Sequence, residues 1–347
     1  MVPVVVLKRR NDMKIEKAKL INALEIVKPG LASKEMIEQS TSFAFMGGRV
    51  VTYNDEISIS HPVEDMDITG AVKADELYKL LGKLKTKTIQ LVIKNNEIRL
   101  KSGKALAGIT LQEEIQLPLE ELGDFGEWVP VPALLMEALH FCMFSASVDM
   151  TKPVLTCVHV SDTGFVESCN NFRLTRYELG ENSPVGDCLI PVSSVKNLVK
   201  YSITHIAAGQ GWMHFKSKDD TIFSCRVFED KYPDVSGLLK VKGTEFTFPE
   251  NVMGVLDKAS IFSKRDQFLD ETVQISILAN ELKVRSEDIV GWFEEKIEIE
   301  YEGDDITFAI NPTFLKDVLV KKAPCLLSKD KLKFKGKNWS HVVALKY

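Results

Sequence analysis

Six histidines, six cysteines and 49 acidic residues give this 347-residue chain ample material for catalysis or metal binding, yet none of it is spaced for either. His61, His140, His159, His205, His214 and His341 are scattered, and an isolated histidine is by default a structural residue. Glu64, Asp65 and Asp67 have the oxygen chemistry for a hard divalent cation, but a loop ahead of Gly70 accounts for them more simply. Cys142, Cys157, Cys169, Cys188, Cys225 and Cys325 contain no C-x-x-C pair, so neither a zinc cage nor a disulfide framework is expected, and a reducing, cytoplasmic setting fits. Phosphate-cradling G-x-x-x-x-G-K-[ST] and G-x-G-x-x-G loops, the H-E-x-x-H helix and the G-x-S-x-G elbow are all absent. Gly47 with Gly48, and Gly209 with Gly211, read as hairpin turns. No active site, metal or cofactor is expected, although a linear search misses constellations assembled only in three dimensions.

The remaining chemistry is charge. A net charge of −5 argues against a polyanionic partner until its distribution is examined. Six segments with helical periodicity, 14–34, 73–87, 132–147, 191–205, 250–265 and 312–322, hold 18 Lys and Arg against 8 Asp and Glu. Their surplus of ten leaves a net −15 on the rest of the chain. Helices gathered on one side of sheets would therefore present a basic face backed by an acidic shell. Such a face binds phosphates without reading bases. The candidates for DNA contact are Lys34, Lys79, Lys83, Lys152, Lys196, Lys200, Lys258, Lys264, Arg265, Lys316, Lys321 and Lys322. Any one exposed lysine on an amphipathic helix is ordinarily just a solvated face, so the argument rests on the asymmetry as a whole. The segment 132–147 has no basic residue, and only Lys152 beyond it contributes.

These helices recur within a repeat of about 120 residues, far longer than a solenoid period. Val72 to Leu111, Ile190 to Phe228 and Ile310 to Lys346 each read as a strand, a short amphipathic helix and a hairpin, with Lys101 and Ser102, Lys216 and Ser217, and Lys335 and Gly336 near equivalent turns. A second helix followed by strands lies upstream of each, beginning near Lys17, Pro132 and Pro249. In the third copy Val252, Val255, Leu256 and Ala259 form the helical stripe, while Ile275, Ile277, Leu282 and Val284 alternate as strand residues. The class is α+β, in three repeated domains of two helices packed on antiparallel sheets, with bounds 13–122, 127–240 and 245–347. Residues 1–12 read as an N-terminal extension, too short an apolar run for a membrane span and wrongly ordered for a signal peptide.

Three repeats, together with the stretches Thr151 to Leu179 (TKPVLTCVHVSDTGFVESCNNFRLTRYEL) and Phe228 to Leu239 (FEDKYPDVSGLL), resemble the bacterial β sliding clamp, the processivity subunit of DNA polymerase III, over residues 13–347. The resemblance implies a head-to-tail homodimer of six domains in a ring, helices lining the hole and sheets outside. Ala107 and Ile109 of one subunit would then meet Ile261 and Phe262 of the other. It also implies a cleft for short linear peptides of DNA polymerase, the clamp loader and repair proteins, lined by Leu155, Cys169, Asn171, Phe172, Arg173, Leu174, Pro233, Leu238, Val342 and Ala344. Where the family has Gly-His before the Arg, this chain has Asn171 and Phe172; where it has Met-Pro near the end, this chain has Ala344 and Leu345. These departures imply a different peptide preference, as in a diverged bacterial or phage member. Two other readings stay open: a clamp-fold scaffold that does not encircle DNA, and a nucleic-acid enzyme with a non-linear active site.

Overall fold

The computed structural model describes residues 12–266 and 268–346, so the proposed extension lies outside it except for Asp12, which opens the first strand. The first repeat runs β1 (Asp12–Glu16), α1 (Lys17–Val27), β2 (Ser42–Met46), β3 (Arg49–Tyr53), β4 (Ile57–Pro62), β5 (Gly70–Lys73), α2 (Ala74–Lys83), β6 (Thr88–Lys94), β7 (Glu97–Ser102) and β8 (Ala105–Thr110). The second runs β9 (Val129–Pro130), α3 (Leu135–Cys142), β10 (Cys157–Val160), β11 (Phe165–Cys169), β12 (Arg173–Glu178), β13 (Cys188–Pro191), α4 (Val192–Leu198), β14 (Ile203–Gly209), β15 (Trp212–Ser217) and β16 (Ile222–Arg226). The third runs β17 (Thr244–Phe246), α5 (Val252–Ala259), β18 (Val273–Leu278), β19 (Glu281–Asp288), β20 (Gly291–Glu298), β21 (Ile306–Ile310), α6 (Pro312–Leu319), β22 (Cys325–Leu327), β23 (Lys331–Lys335) and β24 (Trp339–Ala344). Each repeat is therefore itself a doubled strand-helix-three-strand unit.

All six segments expected to be helical contain a helix, but each helix is shorter than its periodic pattern. Residues 14–16 belong to β1, and α1 gives way at Lys28 to a tight turn through Pro29 and Gly30 that leaves Lys34 in a bend. Gly30 is required there, because a Cβ would stand 2.3 Å from Oγ1 of Thr52, the hydroxyl that caps the carbonyl of Val27 at 2.6 Å. Within the helices the stripes are as expected. Leu20, Ala23, Leu24 and Val27 of α1 are buried at i, i+3, i+4, i+7 spacing, as are Val252, Val255, Leu256 and Ala259 of α5. Asn311 starts α6 by accepting from the N–H groups of Thr313 (2.9 Å) and Phe314 (3.3 Å). Gly47 and Gly48, both at positive φ, make the two-residue turn between β2 and β3.

The described residues divide into two compact units, 12–131 with 196–227, and 132–195 with 228–266 and 268–346, so the second repeat contributes to both. The first unit holds a four-stranded sheet, β1-β6-β7-β8, and an eight-stranded sheet, β5-β2-β3-β4-β16-β15-β14-β9. The second holds the eight-stranded sheet β13-β10-β11-β12-β24-β23-β22-β17 and the four-stranded sheet β20-β19-β18-β21. Every pairing is antiparallel, and each large sheet is stitched from two repeats at one seam: β4 on β16, and β12 on β24. Among the described residues no helix is long and apolar enough to cross a membrane.

Both seams bury polar side chains. His214 Nδ1 lies 2.8 Å from Ser224 Oγ beside the first, and His341 Nδ1 lies 2.8 Å from Thr175 Oγ1 at the second. Burial lowers the His341 pKa to about 3, with Arg173 reinforcing the shift. A histidine held neutral in the folded state but protonated when unfolded removes stability as pH falls from about 6.5 toward its folded value. Stability of the second unit should fall by about 2–3 kcal/mol between pH 7 and 4.5 on this account. In urea melts, His341→Leu should flatten that part of the pH dependence.

Candidate functional site

On the sheet of the second unit, Cys169 stands opposite Leu174, and Leu174 opposite Val342. Directly paired strand residues point the same way, so these three buried side chains form one apolar floor. Leu155, in the tight turn Pro153–Thr156, packs half-buried against the same cluster. A strap of residues 228–239 lies across this floor. Its Tyr232 and Val235 are buried in the cluster, the Cys169 N–H donates to the Tyr232 hydroxyl at 2.9 Å, and Lys333 Nζ donates to the Leu239 carbonyl at 2.7 Å. Around the floor Asn171, Pro233, Leu238 and Ala344 are exposed. Lys152 Nζ reaches Asn171 Oδ1 at 3.4 Å.

Phe172 and Arg173 do not share the floor. Consecutive strand residues face opposite ways, and Arg173 turns to the helix side, where its partner Val343 is buried in the third repeat's core. Its guanidinium lies 2.6 Å from Asp317 on α6, donates to the Phe144 carbonyl and sits 4.2 Å from the centre of the Phe314 ring. Burial pulls its pKa down against the pull of Asp317. The Phe172 ring packs 6.2 Å from Phe314, with Lys346 Nζ 5.4 Å from its own centre. These two residues clamp β12 to α6, beneath the floor.

Sequence reasoning missed a buried charge cluster on the floor's own face. Glu167, nearly buried, accepts from Arg176 at 2.9 and 2.7 Å and from His159 at 3.0 Å. Nothing in the local pattern distinguishes Glu167 from a solvent-facing strand acid. Tyr232 and Val235, quoted above only within the stretch Phe228 to Leu239, also belong to the site; two apolar residues set among Asp230, Lys231, Asp234 and Ser236 were the available signal.

The basic candidates are exposed, except that Lys316 is half-buried. Several already have acidic partners: Lys79 with Asp75 (2.5 Å), Lys258 with Glu295, Lys264 with Glu271 (3.3 Å), Arg265 with Asp288 (3.9 Å), Lys316 with Asp257 (3.0 Å) and Lys322 with Glu250 (2.9 Å). Among the described residues Lys34, Lys83, Lys152, Lys196, Lys200 and Lys321 have none, though Lys321 lies 4.8 Å from the centre of the Phe141 ring. Surface pairs are worth at most about 1 kcal/mol, so a phosphate can compete for the paired lysines too.

Two sheet edges complete the inventory. In the first unit β8 ends its sheet, with Ala107 and Ile109 half-buried and Leu106 exposed. In the second unit β20 ends its sheet, with Trp292 exposed on it and Ile289 and Val290 fully or largely exposed at the turn before it. Ile261, exposed, and Phe262, half-buried, follow α5 beside this edge, where the Phe262 ring closes over Gly291.

A chain of three doubled repeats, with large antiparallel sheets stitched across repeat boundaries, has the architecture of the DNA clamp fold. Comparison with known proteins gives the particular relatives. The chain is 25% identical over 337 residues to the Beta sliding clamp of Streptococcus pneumoniae R6, covering 88% of each chain. It superposes on the DNA polymerase III beta chain of Streptococcus pneumoniae TIGR4 with a TM-score of 0.85 at 22% identity, covering 97% of this chain and 99% of that one. The DNA polymerase sliding clamp of Bacillus subtilis superposes at 0.83 and 18% identity with the same coverage. No family model matches. The resemblance to the bacterial β clamp thus extends over nearly the whole chain, and the fold is that of the clamp.

Removing Asp317 leaves the buried Arg173 charge unpaired, so Asp317→Asn should cost on the order of 3 kcal/mol in urea unfolding. Asp257→Asn, which breaks the more exposed pair between α5 and Lys316 of α6, should change stability by less than about 1 kcal/mol.

Proposed function

We propose that this chain is a DNA sliding clamp: two copies close head to tail into a ring around duplex DNA and tether DNA polymerase and other replication or repair proteins to it. The observation that carries the reading is the seam rule. The fourth strand of the first repeat pairs with the eighth of the second, and the fourth of the second with the eighth of the third. The fourth strand of the third repeat is β20 and the eighth of the first is β8, and each ends its sheet where its counterparts in the other repeats make a seam. An open edge bordered by apolar residues is a template for another strand, and a second copy supplies the missing partner at both ends. Such a heterologous contact closes a ring when the rotation allows it. Ala107 and Ile109 then meet Ile261 and Phe262, with Leu106 and Trp292 added to the contact.

The domains of that ring are the repeats 13–122, 127–240 and 245–347. Holding DNA this way requires no catalysis and no cofactor in the clamp itself; a clamp loader opens the ring. Lysines of the helices face the phosphates, and their contacts are individually weak and indifferent to sequence, which permits sliding. The floor of Leu155, Cys169, Leu174 and Val342, with its rim of Asn171, Pro233, Leu238 and Ala344, is the partner-peptide cleft, supported from below by Phe172 and Arg173. The curated relatives, named as beta sliding clamps, support the same reading.

Light scattering should give twice the chain mass, and Trp292→Asp or Leu106→Asp should give the single-chain mass. After loading, the protein should stay on nicked circular DNA at high salt and leave once the circle is cut; loss from both forms alike points to a scaffold that does not encircle DNA. Lys196→Glu with Lys200→Glu should weaken DNA binding uniformly across sequences and reduce the salt slope by about 2.

A further inference from the structure

Whatever fixes the strap over the apolar floor also fixes the floor's shape, because Tyr232 and Val235 are buried among the floor residues. The Tyr232 hydroxyl accepts the Cys169 N–H, and its ring stacks on the imidazole of His159 at 4.9 Å and 23°. Ser236 accepts from Arg176 at 3.1 Å. The imidazole is itself clasped on both sides, with Nδ1 3.0 Å from Glu167 Oε1 and Nε2 2.5 Å from Asp187 Oδ1. A neutral imidazole carries one N–H and one lone pair, and would aim the lone pair at one of these carboxylates. Only the imidazolium donates to both.

The groups facing His159 come from every element around it. Glu167 on β11 shares its second oxygen with Arg176 of β12, Asp187 reaches it from the residue before β13, Tyr232 covers it from the strap, and Phe165 closes one edge at 5.8 Å. Burial pulls the imidazole pKa down, but the hydrogen bonds it donates to Glu167 and then Asp187 outweigh it and leave it above the ordinary value.

We propose that His159 is a positioning residue for this cleft: as an imidazolium it ties Asp187 and the Tyr232 ring to the sheet, and loss of its proton releases the strap from the floor. The consequence for partner binding rests on the reading of this face as the peptide cleft, but the clasp itself belongs to the fold. Because the folded pKa lies above the unfolded value, the clasp is complete below about pH 6.5 and is lost as pH rises through the folded value. Partner affinity is thereby linked to one proton.

The test needs no partner. Hydrogen exchange at the Cys169 amide, corrected for the intrinsic pH dependence, should rise about tenfold or more in a single step between pH 6 and 9. Asp187→Asn, at a side chain 62% exposed and so tolerant of change, should move that step to lower pH. His159→Gln should abolish it and leave exchange fast throughout. A flat wild-type profile, or an unmoved step in Asp187→Asn, overturns the proposal. A flat profile with intact retention on circular DNA sinks the clasp alone, whereas a clear step without such retention sinks only the clamp reading.

Discussion

Backbone hydrogen bonding across the seams is the interaction on which the structure depends. A strand left at a sheet edge carries a row of unpaired N–H and C=O groups, and their desolvation without partners is costly. The chain meets this by fusing β4 to β16 and β12 to β24, which converts four edges into the interiors of two eight-stranded sheets. Covalent repeats are thereby cut across by compact units, since the second repeat lends strands to both. The same rule leaves β8 and β20 as ends without a seam.

Each seam also separates two chemistries. In the second unit the alternate residues Arg173, Thr175 and Tyr177 of β12 face the helices, where the Arg173 charge, the Thr175 hydroxyl and the His341 ring find partners in a closed interior. Leu174 and Arg176 face the strap instead, where an apolar floor adjoins the Glu167 and His159 cluster. Buried charges of this kind add little net stability, because desolvation offsets attraction; their effect is to punish any other arrangement. That is a suitable property beneath a surface whose shape matters.

The basic helices obey the opposite economy. Half of the basic candidates are held by acids, so their helices are less positive than the count of Lys and Arg alone indicates. Such surface pairs exchange easily between a carboxylate and a phosphate, which is what the proposed sliding requires of them.

By itself the sequence determined what depends on neighbours along the chain: six amphipathic helices, alternating strands, the Gly47–Gly48 turn, the tripled repeat and the uneven charge. Periods of 3.6 and 2 are written in consecutive residues and survive any tertiary arrangement. The same period of two already set Arg173 and Leu174 on opposite faces, although resemblance alone grouped them in one cleft. Tertiary structure decided which edges meet, as in the pairing of Thr175 with His341, 166 residues apart. It also decided that Glu167 would be a buried charge rather than a solvated one, and that the strap would cover the floor. Strand alternation looks the same whichever edge a strand joins, so these choices are made by long-range backbone pairing and burial, which no local window records.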